Sequence, residues 1–184
     1  MLPGKDARAG EIPLMRRGWE FEGRKTLRVC RPRPVSKSQG KFAMQLTDKN
    51  RQDLWKAATQ ALSQAYAPYS RLRVGASVLT ANGHIYAGAN VENASYGLSL
   101  CAERAAIAQA VAAEGPSMRL KAVAVASSQP GALTPCGACR QVILEFGSAA
   151  LVLFPGEEGL LEVPITELLP HAFRLSKEAL PGEK

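Results

Sequence analysis

The sequence predicts an α/β fold in which a mixed sheet lies between helical layers. Three observations carry this. Strand-like and helix-like segments alternate along most of the chain, an Asn-Gly pair joins the first two strands, and two later strands are short apolar runs suited to burial on both faces. With 184 residues, 46% hydrophobic and 21% charged, the chain can bury one sizeable core. Its 16 glycines and 12 prolines show no collagen period. The longest apolar runs, Ala122 to Ala126 and Ala149 to Phe154, fall far short of the ~20 residues that span a membrane.

The elements follow in order. Thr47 is the expected N-cap of a first helix, with Asp48 where the helix dipole favours an anion. Leu54, Ala58, Ala61, Leu62, Ala65 and Tyr66 then repeat at helical spacing until Pro68. Trp55 reads as packing on that helix. Leu72 to Thr80 alternates with strand period, Asn82-Gly83 forms the turn, and Ile85 to Glu92 returns as a second strand. Cys101 to Glu114 reads as a helix, rich enough in alanine to pack against close neighbours. Leu120 to Ala126 is a central strand, Pro135 to Phe146 a further helix, Leu151 to Phe154 another buried strand and Ile165 to Leu169 a short helix before Pro170.

Charge divides the chain. Residues 1–46 hold 11 Lys or Arg against 4 Asp or Glu, which accounts for the whole net charge of +7; residues 47–184 are neutral. The first segment is broken by Pro and Gly and poor in bulky apolar residues, so it is expected to be a mostly disordered arm preceding a catalytic domain at 47–184. Met44 opens what reads as a natural domain start. The arm lacks the apolar stretch of a secretory signal, and its four acids argue against a mitochondrial presequence. A cytoplasmic location is expected, with no membrane and no nucleic acid as partner, although Arg24, Lys25, Arg28, Arg31 and Arg33 leave a nucleic-acid arm as the competing idea. Trp19 carries no functional signal.

The chemistry concentrates in two patches. One is Cys101-Ala102-Glu103 at the start of a helix; the other is Cys136-Gly137-Ala138-Cys139, a C-x-x-C behind Pro135. C-x-x-C alone is shared by redox and structural zinc sites. Three thiolates leave one tetrahedral zinc position open, the arrangement of a catalytic site, and helix N-termini favour the thiolate form. Bound zinc acidifies water. Glu103, two residues from a ligand, could move protons without ligating. Three thiolates on a divalent ion leave one net negative charge, which Arg104 is placed to offset by hydrogen bonding to cysteine sulfur. A closed structural site would need a fourth ligand from Cys30, His84 or His171. Cys30 lies in the arm, and both histidines read as exposed loop residues.

Cys-Ala-Glu followed 32 residues later by Pro-Cys-x-x-Cys resembles the zinc nucleoside and nucleobase deaminases. More specifically, the chain resembles the small three-cysteine cytidine deaminases. Ala67-Pro68-Tyr69-Ser70, Val74-Gly75-Ala76, Asn90 through Gly97, Cys101 through Arg104, Pro135 through Val142 and Glu167 through Pro170 all match in order. The resemblance implies a three-layer α/β/α sandwich on a mixed five-stranded sheet. It also implies one Zn2+ per subunit on Cys101, Cys136 and Cys139, and Glu103 as proton carrier for attack at C4 of cytosine. Asn90 and Glu92 would hold the ribose hydroxyls. Ala102, Ala94 and Tyr96 would line the pocket, and Phe173 would be donated by a neighbouring subunit of a homotetramer. Leu72 stands where the family usually has a phenylalanine over the pyrimidine. The implied role is hydrolytic deamination of cytidine and deoxycytidine in pyrimidine salvage. The competing readings are a deaminase of a blasticidin-type nucleoside, a polynucleotide editor, or a structural zinc module using the basic arm.

Overall fold

The computed structural model describes residues 46–157 and 159–175. The arm and Cys30 fall outside them, and so do the expectations attached to both. Five strands form one sheet in the order β2-β1-β3-β4-β5. β1 (Val74–Thr80) pairs antiparallel with β2 (Ile85–Ala89) and with β3 (Leu120–Ser127). β3 runs parallel to β4 (Leu151–Pro155), which turns back antiparallel onto β5 (Leu160–Pro164). Reversals at both ends and one parallel pair in the middle make the sheet mixed, as expected.

Helices cover both faces. α1 (Asp48–Ala61) is capped by Thr47, whose hydroxyl accepts from the Asn50 amide, and buries Leu54 and Ala58 against Leu79, Ala122, Ala124 and Leu153. The opposite face packs Val78, Val123, Val125 and Val152 against α2 (Ala102–Glu114) and α3 (Gly137–Phe146), with Ile165 of the one-turn α4 (Ile165–Leu168). Alternate residues of β1 and β3 thus serve separate cores, and the sequence alternation and the apolar runs have one cause.

Close approach on both faces depends on glycine. A Cβ at Gly75 would lie 2.1 Å from the Ala58 carbonyl oxygen of α1, and one at Gly88 would lie 2.5 Å from the Ala106 amide nitrogen of α2. The alanine-rich face of α2 meets this bare stretch of β2, so the helix sits nearly on the backbone and holds its N-terminus at a fixed height above the sheet.

Several boundaries differ from expectation. α1 ends at Ala61 and tightens into a 3-10 turn, Leu62–Gln64, so Ala65 and Tyr66 do not continue it. Tyr66 is instead extended: its amide donates to Asn90 O at 3.0 Å, and its carbonyl accepts from the Glu92 amide at 2.8 Å. β1 begins at Val74, leaving Leu72 before it, and β2 ends at Ala89, leaving Asn90 and Glu92 beyond it. Cys101 and Cys136 are N-caps rather than first helical residues. β5 is an additional strand, which residue periodicity alone does not signal.

Candidate active site

Two helices open on one point. Cys101 caps α2 and Cys136 caps α3, and neither side chain bonds to its own helix backbone, so both sulfurs are free to ligate. Cys139, in the first turn of α3, is buried. The three sulfurs lie within 4.8 Å of one another, with Cys101 and Cys136 at 3.9 Å. Zn–S bonds of about 2.3 Å arranged tetrahedrally separate sulfurs by roughly 3.8 Å, so the trio fits one zinc ion. Among the described residues it includes no further Cys, His, Asp or Glu; His84 and His171 are both exposed and lie outside it.

The cluster is electrostatically poised. A hydrogen bond from the Cys139 thiol, with others from Arg104 and Cys136, brings the Cys101 thiol down to about 5 against the opposing effect of burial. The same hydrogen bond, together with burial, pushes Cys139 strongly up. The Cys101 sulfur therefore holds negative charge and Cys139 holds a proton that a metal would displace. Arg104 Nη2 donates to Cys101 Sγ at 3.6 Å and to Ser99 O at 3.3 Å, which places its charge where the sequence suggested.

Glu103 is 4% exposed, and burial pushes its carboxyl above the usual range, with the Cys101 charge adding to the effect. A carboxyl that binds its proton more tightly than usual can take one from water and pass it on near neutral pH. Glu103, Cys101 and Cys136 line a cavity of about 500 Å³ whose other walls include Val74, Val125 and Leu133.

Leu72, Asn90, Glu92, Tyr96 and Ala102 line the same cavity. Asn90 is tied to the strand edge beside it: its Oδ1 accepts from the Val74 amide at 2.8 Å and its Nδ2 donates to Leu72 O at 2.9 Å. Each group keeps one further hydrogen-bonding position. Glu92 accepts the Ser70 hydroxyl on Oε1 and the Tyr69 and Ser70 amides, at 2.9 and 3.2 Å, on Oε2. The Ser70 hydroxyl leads these bonds in holding the Glu92 carboxyl below its usual range. Both side chains are thus fixed before any ligand arrives. The clamp formed by Tyr69 and Ser70 is a functional feature that residue reading missed, and the Pro68-Tyr69-Ser70 turn was its only signal. Ala94 and Phe173 are exposed and do not line this chain's cavity.

Thiolates gathered at two helix N-termini, with a buried carboxyl beside them in one cavity, define a zinc site of the hydrolytic kind. A family model for the cytidine and deoxycytidylate deaminase zinc-binding region matches residues 48–154. A cytidine deaminase of Halalkalibacterium halodurans is 45% identical over 126 residues, covering 67% of this chain and 94% of the relative. The crystal structure of cytidine deaminase from Mycobacterium tuberculosis is similar with a TM-score of 0.61 and 43% identity, over 71% of this chain and all of that one. The Burkholderia pseudomallei cytidine deaminase structure gives 0.62 and 41%, over 70% and 100%. The chain belongs to the cytidine and deoxycytidylate deaminase family, and its three-cysteine cluster fits one zinc ion per subunit.

Proposed function

We propose that this chain hydrolyses cytidine and deoxycytidine to uridine and deoxyuridine with release of ammonia, a reaction of pyrimidine salvage in the cytoplasm. The observation that carries this is the buried Glu103 carboxyl in one cavity with the Cys101 and Cys136 sulfurs and the preset Asn90–Glu92 pair. Zinc, when bound by Cys101, Cys136 and Cys139, lowers the pKa of a water and so supplies the nucleophile near neutral pH. Glu103 would take one proton from the attacking water and give it to ring N3 as the water oxygen adds to C4. It would then carry the remaining proton of the new C4 hydroxyl to the amino group, so that C4=O forms, the C4–N bond breaks and ammonia leaves. Arg104 offsets the charge of the sulfurs. The free positions on Asn90 and Glu92 take the ribose hydroxyls, the Ala102 backbone contacts the base, and Leu72 and Tyr96 wall it.

Among the described residues, the cavity lining carries two carboxylates, Glu92 and Glu103, and no Lys, Arg or His. A 5′-phosphate would meet like charge without a counterion, which favours a nucleoside over a nucleotide. The proposed assembly is a homotetramer, in which Phe173 meets a neighbouring subunit's pocket. Phe173 is 72% exposed, and Tyr96 and Leu98 beside the cavity are exposed at 78% and 72%. The test is a deamination panel of cytidine, deoxycytidine, cytosine and deoxycytidine monophosphate, with solution mass measured on the same preparation. Turnover of both nucleosides by a four-chain species is expected. Ammonia from the nucleotide but from neither nucleoside would overturn the reading.

A further inference from the structure

Arg140 follows the ligand Cys139 directly, yet its side chain does not turn to the sulfurs. It reaches back and across. Nε donates to Pro135 O at 2.7 Å, Nη2 to Thr134 Oγ1 at 3.0 Å, and Nη1 to Leu168 O at 2.9 Å. Its own amide donates to Cys136 O at 2.9 Å. The loop that delivers Cys136 is therefore held on both sides of that residue by one arginine. Cys136 needs such a brace: it is exposed, and no cap bond orients its side chain. The direction of its Cα–Cβ bond is set by the Pro135–Cys136 peptide, whose carbonyl Arg140 fixes. The third bond ties this loop to the end of α4, and the adjacent Gln141 extends the tie, its Nε2 donating to Phe173 O at 2.9 Å.

We propose that Arg140 is a positioning residue for the zinc site. Resting on the reading of Cys136 as a ligand, the proposal assigns it two tasks: presetting the Cys136 sulfur for metal, and coupling that sulfur's placement to the chain segment after α4. A planar guanidinium suits the task because three of its donors reach acceptors from two separate segments at once; a lysine ammonium is a single point and cannot span them.

The test uses the full chain with Arg140→Lys and Arg140→Met, together with Thr134→Val, which removes one of the three acceptors and disturbs the fold least. Zinc affinity is read by competition with a chromogenic chelator, and ligand geometry from the absorption bands of the cobalt(II)-substituted protein. Loss of such outer partners typically weakens metal binding about 10–100-fold. That loss is expected for both Arg140 variants, with a smaller one for Thr134→Val and altered cobalt bands in all three. A purely structural role would lower the melting temperature and leave the cobalt spectrum alone. Wild-type affinity and spectrum in Arg140→Lys would overturn the proposal. Cys136→Ala, run in parallel, separates the two levels. If it loses zinc while Arg140→Lys does not, only the brace fails; if it too keeps wild-type affinity, the ligand assignment falls and takes the brace with it.

Discussion

Glu103 and Glu92 show how one residue type serves opposite purposes. Burial raises the affinity of Glu103 for a proton, which suits its proposed transfer role, while the Ser70 hydroxyl and two amides hold the Glu92 carboxyl below its usual range, which suits its proposed role as an acceptor for sugar hydroxyls. Glu103 and the cysteines stood out in short motifs because Glu103 is two positions from Cys101 and Cys136 is three from Cys139, whereas the clamp on Glu92 did not, because Tyr69 and Ser70 lie 23 and 22 positions away. The brace by Arg140 did not either, because its acceptors are a hydroxyl and two carbonyls, one of them 28 positions away. Leu72 is the residue whose consequence is easiest to measure. Its side chain walls the cavity without an aromatic face, and restoring a ring should add roughly 0.5–1.5 kcal/mol of contact with a pyrimidine. Leu72→Phe should therefore lower KM for cytidine roughly 2- to 12-fold with little change in kcat. A KM that stays put or rises would mean that the base does not lie against residue 72.

At the scale of elements, the site depends on how closely α2 rides on β2. Gly88 allows that approach, and Gly88→Val would push its Cβ into the Ala106 amide and the Ala102 carbonyl, the latter only one residue from Cys101 and Glu103. Overpacking of this kind costs about 1–3 kcal/mol. The variant should melt lower and lose activity out of proportion to its loss of folded protein, because the α2 N-terminus is displaced; normal specific activity in the folded fraction would contradict this. Periodicity found both central strands and every longer helix because their buried faces are continuous. It missed β5, an edge strand whose Leu160, Leu161 and Glu162 are exposed, so no alternation marks it. The glycine-bearing loop at 156–159 was the available hairpin signal. It also carried α1 too far, since Ala65 and Tyr66 keep helical spacing while Pro68 and the bridge to Val91 draw the chain out straight.

Across the whole molecule, charge and chemistry are divided between two segments. The excess of positive charge lies in residues 1–46, and the segment from 47 onward, which carries every residue of the proposed site, is formally neutral. Whole-chain charge is therefore a poor guide to what the cavity binds, and the cavity's own charge is a better one. In the proposed reaction Glu103, beside a three-cysteine zinc site, moves the protons of cytidine hydrolysis. The most direct measurement is ammonia release from cytidine by the wild-type chain and by Glu103→Gln, with zinc content determined on both. One zinc per chain is expected in each, with rapid release by the wild type and a loss of at least about 100-fold in the variant, the low end of what a positioned acid–base group contributes. A variant that keeps its zinc and deaminates cytidine at the wild-type rate would contradict it.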